Sequence, residues 1–94
     1  MRLWGKVMRN NKIIKDLTVP LKVDDDYQAA LKEAMIELCH SFDIEKPYWL
    51  NKNLNEYNRS GKTSFNENNF IEEINFDKLV IEELDDRNNK QEKK

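Results

Sequence analysis

Apolar residues recur along this chain with two different periods. Between Asp26 and Phe42, in DYQAALKEAMIELCHSF, Tyr27, Leu31, Ala34, Met35, Leu38 and Phe42 step by four and three residues. That spacing predicts one amphipathic helix with a single apolar stripe. Its interior is rich in Ala, Leu, Met, Glu and Lys, which lose little rotamer freedom in a helix. Asp24, Asp25 and Asp26 precede it, where a carboxylate caps free N–H groups and complements the positive end of the dipole. Asp25 and Gln28 have the spacing of a capping box.

Leu3 to Val19 instead reads as a β-hairpin turning at Asn10-Asn11, because Asn tolerates the two positive φ angles of a two-residue turn. With those two as the loop, Met8 faces Ile13, Val7 faces Ile14, Lys6 faces Lys15 and Trp4 faces Leu17. One face then carries Leu3, Gly5, Val7, Ile14 and Thr18. The other carries Trp4, Lys6, Met8, Ile13, Lys15 and Leu17. Two opposed lysines repel, so the lysine face is expected toward water and the other under the helix. Pro20 ends the second strand.

Asp43 to Lys62 is predicted to be an irregular, aromatic-rich connection holding Tyr48, Trp49 and Tyr57, with a short helix near Asn53 to Asn58. Asn66 to Glu73 reads as another short helix, with Phe65, Phe70 and Ile71 inward. Phe76 to Leu84 reads as a third strand, Leu79 and Ile81 on one face and Val80 and Leu84 on the other. The expected fold is therefore α+β: a hairpin, one long amphipathic helix, an irregular connection with a short helix, and a final strand completing a small antiparallel or mixed sheet. Residues 1–84 form a single domain in this reading, and 85–94, which contain no apolar residue, a disordered polar tail.

Composition changes the picture only modestly. The chain has 94 residues, 38% hydrophobic and 36% charged, with nine aromatic residues, which argues for a folded domain with one modest core. One cysteine excludes an intramolecular disulfide and suits a reducing, cytoplasmic setting. No stretch has the length of a membrane span, and the N-terminal MRLWGKVMRNNK does not read as a signal peptide. Charge is blocky: residues 1–22 carry +5 and 23–45 carry −6, 46–62 carry +3 and 63–84 carry −5. Oppositely charged segments lying side by side account for this.

Candidate chemistry is sparse. Gly61-Lys62-Thr63 has the ending of a phosphate-binding loop, but that motif needs a glycine where this chain has Glu56. Cys39 and His40 are adjacent on the helix and point about 100° apart, so they cannot share a metal or act as nucleophile and base. The acids Glu72, Glu73, Glu82, Glu83, Asp85 and Asp86 are sequence neighbours with no apolar pocket to separate their pKa values. No catalytic residue, cofactor or metal site is expected. Tyr48, Trp49, Tyr57 and Arg59 have the ingredients of a ligand or nucleic-acid loop, and the hairpin is basic, although a pI near 5.4 is low for a nucleic-acid binder.

Three segments carry a family resemblance: NNKIIKD at Asn10–Asp16, ELCHSFDIEKPYWL at Glu37–Leu50, and TSFNENNFIEEINFDKL at Thr63–Leu79. In these the chain resembles a family of small proteins of clostridia-like Gram-positive bacteria for which no activity is established. The resemblance implies a single-domain bacterial protein and brings no function with it.

The functional expectation is a non-enzymatic binding or assembly module. A nucleic-acid-associated protein is the alternative, and an enzyme the third. The candidate partner surface is Trp4, Lys6, Met8, Ile13, Lys15 and Leu17. It is to be covered either by a second copy across a two-fold axis, by another protein, or by the segment from Ile44 to Lys62 folding back with Tyr48, Trp49 and Leu54.

Overall fold

Asn10 and Asn11 take φ of 55° and 64°, and this left-handed pair reverses the chain between β1 (Arg2–Arg9) and β2 (Lys12–Pro20). The computed structural model describes residues 1–85, so the expected disordered tail lies almost wholly outside the described residues. After the hairpin come α1 (Tyr27–Phe42), α2 (Asn51–Ser60), β3 (Lys62–Phe65), a 3-10 turn (Glu67–Asn69) and β4 (Lys78–Leu84). The sheet runs β2-β1-β4-β3, and every neighbouring pair is antiparallel. The fold is α+β.

One face of the sheet takes both helices. Leu3, Gly5 and Val7 alternate inward along β1, and Leu79 and Ile81 along β4. Leu38 and Phe42 of α1 sit over Gly5, where an added Cβ would lie 3.0 Å from Leu38 Cδ1 and 3.3 Å from Phe42 Cε2. The absence of a side chain at Gly5 lets the helix approach this closely. Leu3, Leu38, Phe65, Leu79 and Ile81 are fully buried in one continuous core with Val19, Phe42 and Tyr57.

The ends of α1 are closed by local chemistry. The Asp26 carboxylate, not Asp25, accepts from Gln28 N and Ala29 N. The C-terminus closes with Asp43 in the left-handed region, Asp43 N donating to His40 O and Ile44 N to Cys39 O.

The hairpin register departs from the simple two-residue-loop pairing. Met8 faces Ile13, but Val7 faces Lys15, so Ile14 is a bulged extra residue. Beyond the bulge Lys6 faces Asp16, Gly5 faces Leu17 and Trp4 faces Thr18. The bulge removes the Lys6–Lys15 opposition and exchanges the two faces of β2. Leu17 and Val19 turn to the helix side, and Asp16 and Thr18 to the open side. Thr18, expected under the helix, is exposed.

Three further expectations are corrected. The sheet has four strands, the extra one being β3, whose Lys-Thr-Ser-Phe has no strand signal and is held by its ladder to β4. Asn66 to Glu73 is not a helix. Asn66 caps only the three-residue turn, and Phe70 is already extended at φ −122°. Phe70 is buried edge-to-face on Phe76, while Ile71 is 73% exposed. The last strand starts at Lys78 rather than Phe76, because Phe76 packs in the core from the preceding loop and Asp77 N bonds Met8 O.

Candidate functional site

A trough of about 870 Å³ lies between α1 and α2 on the helix side of the sheet. One wall is α1, with Tyr27, Leu31, Lys32 and Met35. The other is Leu54, Tyr57 and Asn58 of α2, and the connection Glu45 to Trp49 completes the lining. Leu38 and Phe42 go to the sheet, and Tyr27 and Leu31 are left half-buried at its margin.

The walls are held by two sets of hydrogen bonds. At the first turn of α1, the Tyr27 and Tyr57 hydroxyls lie 2.8 Å apart, bridging the helices. Tyr27 Oη donates to the Glu83 carboxylate of β4, which leaves the Tyr57 hydroxyl to donate to Tyr27. Burial pushes the Tyr27 hydroxyl well above the ordinary tyrosine range, and its bond to the Glu83 carboxylate pushes the same way. Burial also raises Tyr57.

The second set fixes the connection. Asn53 and Asn69 are both buried. Asn69 Nδ2 donates to Asn53 Oδ1 at 2.8 Å and to Tyr48 O at 2.7 Å. Asn53 Nδ2 donates to Thr63 Oγ1 and to Ser64 O, and Leu50 N donates back to Asn53 Oδ1. Thr63 Oγ1 in turn donates to Glu56 Oε1 at 2.6 Å. Among the described residues no buried side-chain N or O lacks a partner, so this network ties α2, β3 and the Tyr48–Leu50 backbone into one rigid piece. Trp49 is thereby set edge-on to Tyr57 and Phe65, at ring separations of 5.6 and 5.0 Å.

Of the four residues of the sequence-predicted loop, Tyr48, Trp49 and Tyr57 come together in this trough, and Arg59 is exposed on the last turn of α2 outside its lining. Tyr27, Leu31, Met35 and Leu54 belong to the site, although the sequence pattern places the first three in the core stripe and Leu54 in a roof over the open face. Nothing in the period of α1 sets the first three apart from Leu38 and Phe42, because all five lie within one arc of about 80°.

The hairpin surface is divided by the bulge. Trp4, Lys6, Met8 and Ile13 share the open face. Leu17 is half-buried against the core, and Lys15 Nζ donates to Phe42 O on the helix side. The segment from Ile44 to Lys62 packs on the helix side too, so it does not roof the open face. That face covers much of its own apolar surface. Lys6 Nζ lies 4.0 Å over the Trp4 ring and 3.7 Å from Glu82, and the Trp4 indole donates to Asp16. Val80, beneath this lattice, is buried.

The other singled-out residues have structural places. Gly61 caps α2 in the left-handed region at φ 73°, its N–H bonding Tyr57 O, so Gly61-Lys62-Thr63 is a helix end running into β3. Cys39 is buried, which pushes its thiol up to about 11 against the field of Lys46, and His40 is exposed. Glu82 and Glu83 turn to opposite faces of the sheet, Glu82 to Lys6 and Glu83 to Tyr27. Among the described residues no three His, Cys, Asp or Glu side chains gather to hold a metal ion, and no helix is long and apolar enough to cross a membrane. No protein-family model, curated protein or solved structure matches the chain.

Proposed function

We propose that the chain is a non-enzymatic binding module, acting in the cytoplasm, whose ligand lies in the trough between α1 and α2. The carrying observation is a largely apolar concavity whose walls are fixed in advance by the Tyr27–Tyr57–Glu83 bridge and the Asn53–Asn69 network. Pockets that bind small molecules are commonly of this volume, lined by apolar and aromatic side chains with a few polar groups. Preformed walls spare the ligand the entropy of ordering them. The nucleic-acid alternative has less to work with, because Trp49 packs edge-on against both Tyr57 and Phe65, Tyr57 is buried, and Lys6 is committed to Trp4 and Glu82.

The two tryptophans make the test internally controlled. Trp49 lines the trough, and Trp4 lies on the far side of the sheet. Titrating a set of small alkyl and aryl compounds into nitrogen-15-labelled protein is expected to move the Trp49 indole resonance and leave that of Trp4 in place. Shifts at Trp4 alone, or at neither, would remove the trough from consideration.

A further inference from the structure

The polar groups of the trough are unevenly committed. Its lining holds three charged side chains, Lys32 on the α1 wall and Glu45 and Lys46 on the connection. Glu45 Oε1 accepts from Glu72 N at 2.8 Å, which holds its carboxylate without neutralising it, so the lining carries one positive charge in excess. Lys32 and Lys46 have no hydrogen-bond or ion-pair partner among the described residues. Both are exposed, whereas Met35 is buried and Leu31 and Trp49 are half-buried. The result is a hydrocarbon-lined depression with two uncommitted positive charges on different walls.

The shape limits what enters. The Tyr27–Tyr57 bridge crosses between the helices at the first turn of α1. A helix with its side chains is about 10–12 Å across and needs a trough open along its length. A volume of about 870 Å³ is that of a site for a small molecule.

Resting on the proposed binding role, we infer that the occupant is a small amphiphilic anion: one alkyl or aryl body with a single carboxylate head, the body over Met35 and Trp49 and the head between Lys32 and Lys46. Both lysines are in water, so each contributes modestly and the preference is salt-sensitive.

The probes are decanoate, decanol and decyltrimethylammonium, each kept below its aggregation threshold and read at the Trp49 indole resonance of the full chain. Decanoate is expected to bind about tenfold more tightly than decanol at low salt, and the cation most weakly. The double substitution Lys32→Glu with Lys46→Glu is expected to abolish the decanoate advantage while decanol binding stays as it was, which also shows that the variant is folded. Equal affinity for decanoate and decanol would overturn the anion inference and leave the trough standing as a binding site. No shift of Trp49 with any of the three, where other alkyl or aryl compounds do move it, would overturn the inference alone. No shift with any compound at all would overturn both. Binding of an acidic amphipathic peptide in place of decanoate would also overturn it, in favour of a macromolecular partner.

Discussion

Leu38 has no exposed surface and lies on Gly5 at the centre of the molecule, so its packing bears directly on how α1 meets the sheet. Truncating a leucine at such a site costs about 2–5 kcal/mol, the lost transfer energy plus the cavity. Leu38→Ala is expected to lower the denaturant midpoint by an amount in that range, whereas Leu54→Ala, at a position 45% exposed, should fall well below it. Titratable residues give a second test at this scale. Cys39 is raised from 9.0 to about 11, and Tyr27 and Tyr57 are raised from 10.0. All three hold their protons longer folded than unfolded, so above about pH 9 the unfolded chain binds fewer protons and stability falls as pH rises. The contribution is fully present below the unfolded pKa values and is lost first through Cys39, then through the tyrosines. Denaturant melts between pH 7 and 11 should show this slope, reduced at its onset in Cys39→Ala and at its upper end in Tyr27→Phe. A pH-independent midpoint would contradict the burial of these groups.

The bulge at Ile14 decides which face each residue of β2 presents. A one-residue slip in a strand exchanges its two faces, and here one extra residue turns Leu17 and Val19 inward and sets Asp16 opposite Lys6. Deleting Ile14 would leave Ile13 joined to Lys15 with every pair beyond it unchanged: Val7 with Lys15, Lys6 with Asp16, Gly5 with Leu17. The deletion variant is therefore expected to fold with the same sheet, losing only the partly exposed Ile14 side chain and the local twist. Its amide spectrum should differ from the parent near residues 7–8 and 13–15 and match it elsewhere. Widespread shifts across β1 and β4 would show that the bulge is needed for the sheet and not only for the register.

For the whole molecule, the question is what the uncovered face of the sheet does. Strand alternation places Trp4, Met8, Ile13, Val80 and Leu84 there, which by sequence alone is more apolar surface than a monomer usually leaves open. In the fold much of it is closed from within: Lys6 lies across Trp4, Glu82 and Asp16 hold the two in place, and Val80 is buried below. Cationic stems covering apolar surface leave water in contact with charge. Light scattering is accordingly expected to give the mass of one chain, 11.3 kDa, unchanged from micromolar to several hundred micromolar protein. A doubled mass that reverts on Trp4→Ser would instead make this face an interface between copies.

What the sequence determined by itself follows from strong local signals. The period of Tyr27 to Phe42 places α1 and its core stripe, because a single amphipathic period repeated over four turns has one low-energy conformation. Asn10-Asn11 places the hairpin turn, because few residues accept two positive φ angles in succession. The alternation of Leu79, Val80 and Ile81 places the faces of β4. Everything that assembles the site belongs to tertiary structure. The polar strand β3 exists only through its ladder with β4. Asn53 and Asn69, polar residues in a polar stretch, become buried because each satisfies the other and the backbone between them. Tyr27 and Tyr57, thirty residues apart, meet only when both helices lie on one sheet face. The trough is the space left where α1 meets α2 and a connection pinned by those amides, and no local period along the chain encodes a space between elements.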